Sequence, residues 1–419
     1  MLFYKPVSLR QIAWRPIWML VHRWAGLFIA FFLIVAGLTG SLLAFNNELN
    51  AWLNPGLVRV PVRNQEMLSP DELVTRVEAA YPSAYVRSVT TNIRPGDSAV
   101  VDFDLKAGAQ PLDFSEMYVD PYDARVLGTR TWGAIQFDAP HFMPMIYRLH
   151  YTLLIPGQWG VWLFGIAAIV WFIDCFVGFY LTLPLRRAPS ASRAPSVMRR
   201  LEKSWWSRWW PAWKIKTTGS AYRVKFDLHR AGALWTWTLL ALMAFSSVYL
   251  NLREEVFRPV VSLFGQVTEY PTDLMIEQTP TPREQLIGFN KALAKGLEQV
   301  PEISRDMRVD FVMHYPTYRI YRVGFRSEGI GYELFKLRSL DLFVDDRTGA
   351  YIASGGYDGG TAADKFMDWQ FPIHSGQILG FVGRVIICIM GLVVVMLSIT
   401  GVVIWERKRR ASRARRLKR

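Results

Sequence analysis

Four long apolar runs interrupt an otherwise polar chain of 419 residues. They cover residues 24–45, 158–183, 231–250 and 378–405, and each reaches the roughly 20 apolar residues that a helix needs to cross a bilayer. Two long polar stretches separate the first run from the second and the third from the fourth, and each is large enough for a small domain. The pattern therefore predicts an α-helical integral membrane protein with four spans and two domains outside the membrane.

The polar stretches show the same internal pattern, a helix followed by strands. In the first stretch, residues 68–82 begin with Ser-Pro-Asp, as a helix N-terminus does, and residues 99–105 alternate like a strand. In the second stretch, residues 281–300 are predicted to form the helix and residues 308–313 and 318–325 the strands. We therefore expect two small α+β modules.

Charge orients the chain in the membrane. The net charge is +14, and Lys and Arg are concentrated between Arg186 and Arg230 and in the C-terminal tail. Basic short loops stay in the cytoplasm, so both termini are expected inside and both modules outside, as in a bacterial inner membrane. The predicted segments are the N-terminus with the first span (1–45), a periplasmic module (46–157), a span (158–183), a basic cytoplasmic loop (184–228), a span (229–251), a second periplasmic module (252–377), a span (378–405) and a basic tail (406–419).

This charge distribution also argues against nucleic acid as a partner, because the basic residues lie where membrane topology requires them. The only cysteines, Cys175 and Cys388, fall within spans. The outer modules therefore have no disulfides, and a cysteine-based metal site is excluded there. The segment 204–216, SWWSRWWPAWKIK, is too polar to span and reads as an anchor at the inner membrane surface. A docking site for a cytoplasmic redox partner is the alternative.

The chain also looks like a tandem repeat. LVHRWAGLFIAF (20–31) resembles FDLHRAGALWTW (226–237), so that His22, Arg23 and Leu27 correspond to His229, Arg230 and Leu234. The second and fourth spans each follow another histidine, in RLHYTLLIPGQWG (148–160) and PIHSGQILGFVGR (372–384). Because both copies start on the same side, the halves are expected to be parallel repeats related by an axis along the membrane normal.

Four of the six histidines therefore stand at the ends of the four spans. Ionisable groups at membrane depth are costly and usually mark function. The predicted axis brings His22 to His229 on the cytoplasmic side and His150 to His374 on the outer side. Paired imidazoles are the axial ligands of a six-coordinate haem iron, and since no CxxCH motif occurs, two b-type haems are expected. A single zinc or copper ion, which needs three or four ligands, fits less well.

Several charged residues near these sites allow two interpretations. Arg23 and Arg230 could pair with haem propionates or simply supply positive-inside charge, and Arg384 could meet an outer propionate or extend to the surface. Asp174, inside the second span, is a proton or quinol partner, a partner to a basic group of another helix, or a structural acid that is hydrogen-bonded within the bundle. Of the other two histidines, His141 is either near a docking site or a loop residue, and His314 has no evident partner.

Four segments of the sequence are similar to those of a known protein family. HRWAGL (22–27), LHYTL (149–153), DLHRAGAL (227–234) and IHSGQILGFVGR (373–384) resemble the PepSY-associated transmembrane proteins, also called iron-regulated membrane proteins. That family includes ferric-siderophore reductases of Gram-negative inner membranes. The two outer modules correspond to PepSY-like domains, and the resemblance covers most of the chain except 185–225 and the basic tail.

The resemblance implies haem b held by His22, His150, His229 and His374, and electron delivery to periplasmic ferric siderophores. The expected function is thus an oxidoreductase with two haems, fed by a cytoplasmic or quinol electron donor. Two alternatives remain open. One is a non-enzymatic accessory protein that uses its PepSY-like modules for binding or regulation, and the other is a quinol-linked cytochrome b with a different periplasmic acceptor.

Overall fold

The structure, a computed structural model, describes residues 14–106, 108–110, 112–185, 204–269, 271–326, 339–356 and 360–417. The predictions for residues 1–13, for 186–203 of the basic loop and for 418–419 of the tail lie outside this range. The α-helices of the described residues are, in chain order, α1 (Trp14–Leu43), α2 (Asn46–Leu53), α3 (Pro55–Val58), α4 (Pro70–Ala80), α5 (Ala139–Thr152), α6 (Trp159–Thr182), α7 (Trp205–Trp209), α8 (Ala221–Asn251), α9 (Arg258–Ser262), α10 (Gly288–Glu298), α11 (Ala362–Asp368), α12 (Gln370–Ser375) and α13 (Gly380–Leu417).

The four predicted spans correspond to the four long helices α1, α6, α8 and α13, each long and apolar enough to cross a membrane. Their bounds differ from the apolar runs mainly where polar residues extend a helix. α1 begins ten residues before the first apolar run, at Trp14, α8 begins at Ala221, and α13 continues through the basic tail to Leu417. Lys and Arg are good helix formers, so basic flanks prolong a helix that the apolar core has nucleated.

The two polar stretches form a single antiparallel sheet instead of two separate ones. Its order is β4-β3-β2-β1-β5-β6-β7-β8, so the two halves join where β1 pairs with β5. At that junction Val89 lies opposite Val312, with Ser88 opposite Met313 and Thr90 opposite Phe311. The strands are β1 (Ala84–Thr90), β2 (Ala99–Leu105), β3 (Glu116–Val119), β4 (Val126–Arg130), β5 (Arg308–Tyr315), β6 (Ile320–Arg326), β7 (Ser339–Asp345) and β8 (Tyr351–Gly355).

One hydrophobic core serves both halves of the sheet. Alternate strand residues point to one face, where α4 contributes Leu73 and Val77 and α10 contributes Phe289 and Ala292, all of them buried. The strand residues that meet these helices include Val86, Val101, Met117, Val119, Val312, Val323, Leu342 and Val344. Burying this many apolar side chains against two helices is what makes the joined sheet stable.

The helix α4 begins as its sequence predicts, but α10 does not. Ser69 caps α4 and forms a capping box with Glu72. The predicted helix 281–300 is wrong at its start, because α10 begins only at Gly288, whose φ of 82° lies in the left-handed region. Its first amides, on Phe289 and Asn290, donate to the carboxylate of Asp71 at 2.6 and 3.1 Å. The start of α10 is thus fixed by a cap from the first half of the chain.

The chain divides into two compact units. The helical unit comprises Met1–Ser41, Val161–Asn251 and Cys388–Arg419, and it contains most of the four spanning helices. The sheet unit comprises Leu42–Gly160 and Leu252–Ile387 and contains all eight strands together with α5 and α12. Of the four span-end histidines, His22 and His229 belong to the helical unit, and His150 and His374 belong to the sheet unit.

Candidate functional site

One histidine pair, His22 and His229, lies in the helical unit, and His22 is on α1. Its Nδ1 lies 2.9 and 3.0 Å from the two carboxylate oxygens of Asp174 on α6. Because a carboxylate only accepts, the proton of the ring is on Nδ1 and is donated to Asp174. The sequence left open whether Asp174 has a basic partner, and the structure identifies that partner as His22.

His229, on α8, is held in a matching way by α13. Its Nδ1 donates to the backbone oxygen of Leu397 at 3.0 Å, and the hydroxyl oxygen of Thr400 is 3.1 Å away. In both histidines the Nδ1 proton is therefore committed to a neighbouring helix. The nitrogen left to accept a ligand is Nε2 in each ring.

The two rings face each other across a short gap. The ring centres of His22 and His229 are 6.3 Å apart, with the planes inclined by 56°. A glycine lies next to each ring. A Cβ added to Gly178 would lie 3.3 Å from Cε1 of His22. A Cβ added to Gly401 would lie 3.3 Å from Cε1 of His229. These glycines allow each helix to pack closely against an imidazole.

The second pair lies in the sheet unit. His150 is near the C-terminus of α5 and His374 near the C-terminus of α12, and their ring centres are 6.2 Å apart at 62°. The backbone turns sharply after each histidine. Leu153 and Leu154 have φ of 54° and 61°, and Gly376 has φ of 76°. Left-handed leucines are unusual, so this turn is held by the surrounding structure and not by local preference.

The separations fit two imidazoles that share one metal ion. Bonds of about 2 Å from a metal to each ring nitrogen place the ring centres roughly 6 Å apart. Two pairs at nearly the same separation are compatible with two haem irons, each of which could be held by a pair of imidazoles. Among the described residues, no group of three or more His, Cys, Asp and Glu side chains comes together in the way that a zinc or copper site requires.

The three arginines named from the sequence have different surroundings. Arg23 is exposed. Arg230 donates to the backbone oxygens of Pro211 and Ala212 and to the carboxylate of Asp227, so it fastens the tryptophan-rich segment to α8. Arg384, in the first turn of α13, donates to the backbone oxygen of Ala44 and to the carboxylate of Glu48. The hydrogen bond from Arg384 lowers the pKa of Glu48.

The remaining two histidines are structural. His141 is not in a loop but in the first turn of α5, where it is buried. Its Nδ1 donates to Asp138 at 2.6 Å, and its Nε2 accepts from the amide of Thr131. His314 does have a partner, since its Nε2 lies 3.1 Å from the buried carboxylate of Asp346. Both nitrogens of His141 are thus engaged, and His314 is buried beside Asp346.

The sequence singled out Asp174 but not its link to His22, and the roles of Gly178, Leu397 and Gly401 were not predicted. Asp174 and Gly178 are four residues apart on α6, and Leu397 and Gly401 are four apart on α13. Each pair places a hydrogen-bond acceptor and a small residue on one face of a helix, next to one imidazole. This shared spacing of four residues was the sequence pattern that could have identified these groups. The backbone acceptor at Leu397, however, leaves no trace in the side-chain pattern.

Comparison with known proteins identifies the family to which the chain belongs. A search of curated proteins finds no match for this chain. The sequence profile of the PepSY-associated TM region covers residues 19–408, which includes α6 and α8, most of α1 and α13, both halves of the sheet and all six histidines. With nearly the whole chain matched, the protein belongs to the PepSY-associated TM region family.

Proposed function

We propose that this protein is an inner-membrane oxidoreductase that passes single electrons across the bilayer to ferric siderophores on the periplasmic side. The main support for the proposal is that two pairs of imidazole rings lie close together. The ring centres are 6.3 Å apart for His22 and His229 and 6.2 Å apart for His150 and His374. Two pairs at nearly the same separation favour two sites of the same kind. Membership of the PepSY-associated TM region family is consistent with this function but does not specify it.

In this proposal each pair holds one b-type haem through Nε2, and the bound haem supplies one-electron redox chemistry. The residues of the chain orient the ligands: Asp174 and the Leu397 carbonyl fix the Nδ1 tautomers of the first pair. Gly178 and Gly401 leave room beside the rings. Arg23, which is exposed, is the proposed partner of a propionate, whereas Arg230 and Arg384 would have to exchange their present acceptors for one.

We also propose that the two halves are parallel repeats. The strand order supports this, because the four strands of each half are arranged in the same sequence outward from the centre, where β1 pairs with β5. The sequence separation that relates Val89 to Val312 also relates Asp174 to Leu397 and Gly178 to Gly401. With both termini in the cytoplasm of a bacterial cell, His22 and His229 lie at the cytoplasmic side and His150 and His374 at the periplasmic side.

The proposed substrate chemistry is simple. Siderophores hold Fe³⁺ through hard, anionic oxygens, and Fe²⁺ binds such oxygens more weakly because its charge density is lower. One electron per iron therefore releases Fe²⁺ without breaking a bond of the chelator. The donor is a quinol or a reductant in the cytoplasm.

The test is a single-turnover reduction without oxygen. Purified protein is reduced with dithionite, freed of excess reductant and mixed with a ferric siderophore while ferrozine traps Fe²⁺. We expect reoxidation of the protein and about one trapped Fe²⁺ for each electron delivered. His150→Ala and His374→Ala should abolish the reaction, whereas Lys291→Ala, at an exposed position on α10, should leave it unchanged.

Two outcomes would overturn the proposal. A reduced protein that ignores ferric chelates but reacts with quinones would be a quinol-linked cytochrome. A protein without haem, purified from haem-replete cells, would favour an accessory role for the PepSY-like sheet.

A further inference from the structure

The two histidines of the helical unit are oriented by different kinds of group. His22 donates to the carboxylate of Asp174. His229 donates to the backbone carbonyl of Leu397, with the Thr400 hydroxyl beside it. One imidazole thus has a negatively charged acceptor and the other a neutral one. No requirement of the fold explains this difference, because either kind of acceptor fixes the tautomer equally well.

Asp174 stands in an unfavourable place for a carboxylate. It lies in the middle of α6, inside a membrane span, with a side chain only 8% exposed. A buried carboxylate at membrane depth costs several kcal/mol unless it is paired. The two oxygens of Asp174 both lie within hydrogen-bond distance of the same nitrogen of His22. The carboxylate is therefore directed at this imidazole.

We propose that Asp174 is a positioning residue that lowers the reduction potential of the haem held by His22 and His229. This inference rests on the proposed function. A carboxylate that accepts the Nδ1 proton pushes electron density into the imidazole and makes Nε2 a stronger donor. The stronger donor and the nearby negative charge both favour Fe³⁺ over Fe²⁺, because the oxidised iron carries one more positive charge.

A lower potential at one histidine pair sets the direction of electron transfer between the two pairs. An electron leaves a site of lower potential for one of higher potential. A lowered potential at the His22–His229 pair therefore favours transfer from that pair to the His150–His374 pair. Leu397 and Thr400, the groups beside His229, are neutral, so within this pair the charged acceptor is Asp174.

The test compares redox titrations of variants by optical spectroscopy. Asp174→Asn keeps the shape and an acceptor oxygen but removes the charge. We expect it to retain two haems and to shift one of the two midpoint potentials to a more positive value. At the wild-type midpoint the ratio of oxidised to reduced haem should fall several-fold, a tenfold change being 59 mV for a one-electron couple.

Two variants on α13 serve as comparisons. Thr400→Val removes a neutral acceptor while the Leu397 carbonyl remains, so its shift should be clearly smaller. Ser398→Ala removes a hydroxyl that bonds only within its own helix, to Val394, and should cause no shift. If Asp174→Asn keeps both haems and neither potential moves, the inference is overturned. That result would leave the proposed function standing, whereas a wild-type protein without haem would refute the proposed function itself.

If Asp174→Asn loses one haem, the variant Asp174→Glu decides whether the charge of Asp174 or only its structural role is responsible. If the glutamate variant keeps both haems at potentials near those of the wild type, the negative charge is what matters and the inference holds. If the glutamate variant also loses the haem, Asp174 serves only to maintain the bundle and the inference fails.

Discussion

At the scale of single residues, a buried network ties two strands of the sheet together. His314 on β5 meets Asp346 just after β7. The second carboxylate oxygen of Asp346 accepts from the hydroxyl of Thr281 at 2.8 Å. The ring of His314 also stacks on Tyr321, with centres 4.5 Å apart. Asp346 is fully buried, so His314 and Thr281 supply hydrogen bonds that water cannot supply there.

We therefore predict that His314→Ala destabilises the sheet unit by about 3 kcal/mol, because it leaves a buried carboxylate oxygen without a donor. The melting temperature in detergent, followed by circular dichroism, should fall while the haem content of the folded protein stays the same. His314→Gln keeps an N–H donor and should lose less. An unchanged melting temperature for His314→Ala would show that the network contributes nothing.

A second carboxylate makes a prediction about pH. Burial, with the nearby charge of Glu116, raises the pKa of Asp102 on β2 to about 6. A carboxylate whose pKa is higher in the folded than in the unfolded protein favours folding when it is protonated. Its unfavourable contribution therefore appears as the pH rises from about 4 to 6 and is complete above that range.

Replacing Asp102 by Asn should accordingly stabilise the protein at pH 7.5, by about 1–2 kcal/mol after allowance for solvent screening. At pH 4, close to the ordinary pKa of a carboxyl, most of that gain should disappear. Thermal melts of both proteins at the two pH values measure the difference, and Asp113→Asn, at an exposed position, is the control. A gain that is equal at both pH values would contradict the explanation based on burial.

At the scale of elements, α1 and α13 pack through two glycines. A Cβ added to Gly37 would lie against the backbone oxygen of Gly391 and 2.9 Å from a methyl of Val395. One turn away, the Ser41 hydroxyl donates to the backbone oxygen of Cys388 at 2.8 Å. Small residues at a helix contact let backbones approach closely, which is the main source of attraction between helices in a membrane.

Gly37→Val should therefore force α1 and α13 apart. We expect a lower melting temperature and partial loss of the haem proposed for His22 and His229, since those residues depend on the same bundle. The matched control is Leu38→Val, at an exposed position of α1. If Gly37→Val melts and binds haem like the control, the close contact is not important for the bundle.

The elements also show what the sequence could and could not predict. The four spans, α4 and β2 follow from apolar length, a capping box and strict alternation, all of which are local signals. The start of α10 depends on Asp71, more than two hundred residues away, and no local pattern contains that information. For the same reason the pairing of β1 with β5, which turns two expected modules into one sheet, could not be read from either stretch alone.

The histidines are different, because the similarity between two sequence segments relates residues that are far apart in the chain. Matching HRWAGL with DLHRAGAL assigned His22 to His229, and matching the segments before the second and fourth spans assigned His150 to His374. The structure places the members of each pair next to each other. The link between Asp174 and His22 could not be found in this way, since its counterpart in the second half is a backbone carbonyl.

At the scale of the whole molecule, each histidine pair draws on both halves of the chain. His22 and His150 come from the first half, and His229 and His374 from the second. Every proposed site is therefore completed only when the two halves meet. The eight-stranded sheet is likewise formed from both halves, with its shared core contributed by α4 and α10. A chain that ends after the first half should hold neither site.

The most direct test of this account is the number of haems per chain, measured by the pyridine haemochrome assay on protein from haem-replete cells. We predict about two b-type haems for the wild type, one per histidine pair. His229→Ala and His374→Ala should each retain about one, and the double variant none. A wild type with no haem, or a double variant that still binds two, would contradict the assignment of one haem to each pair.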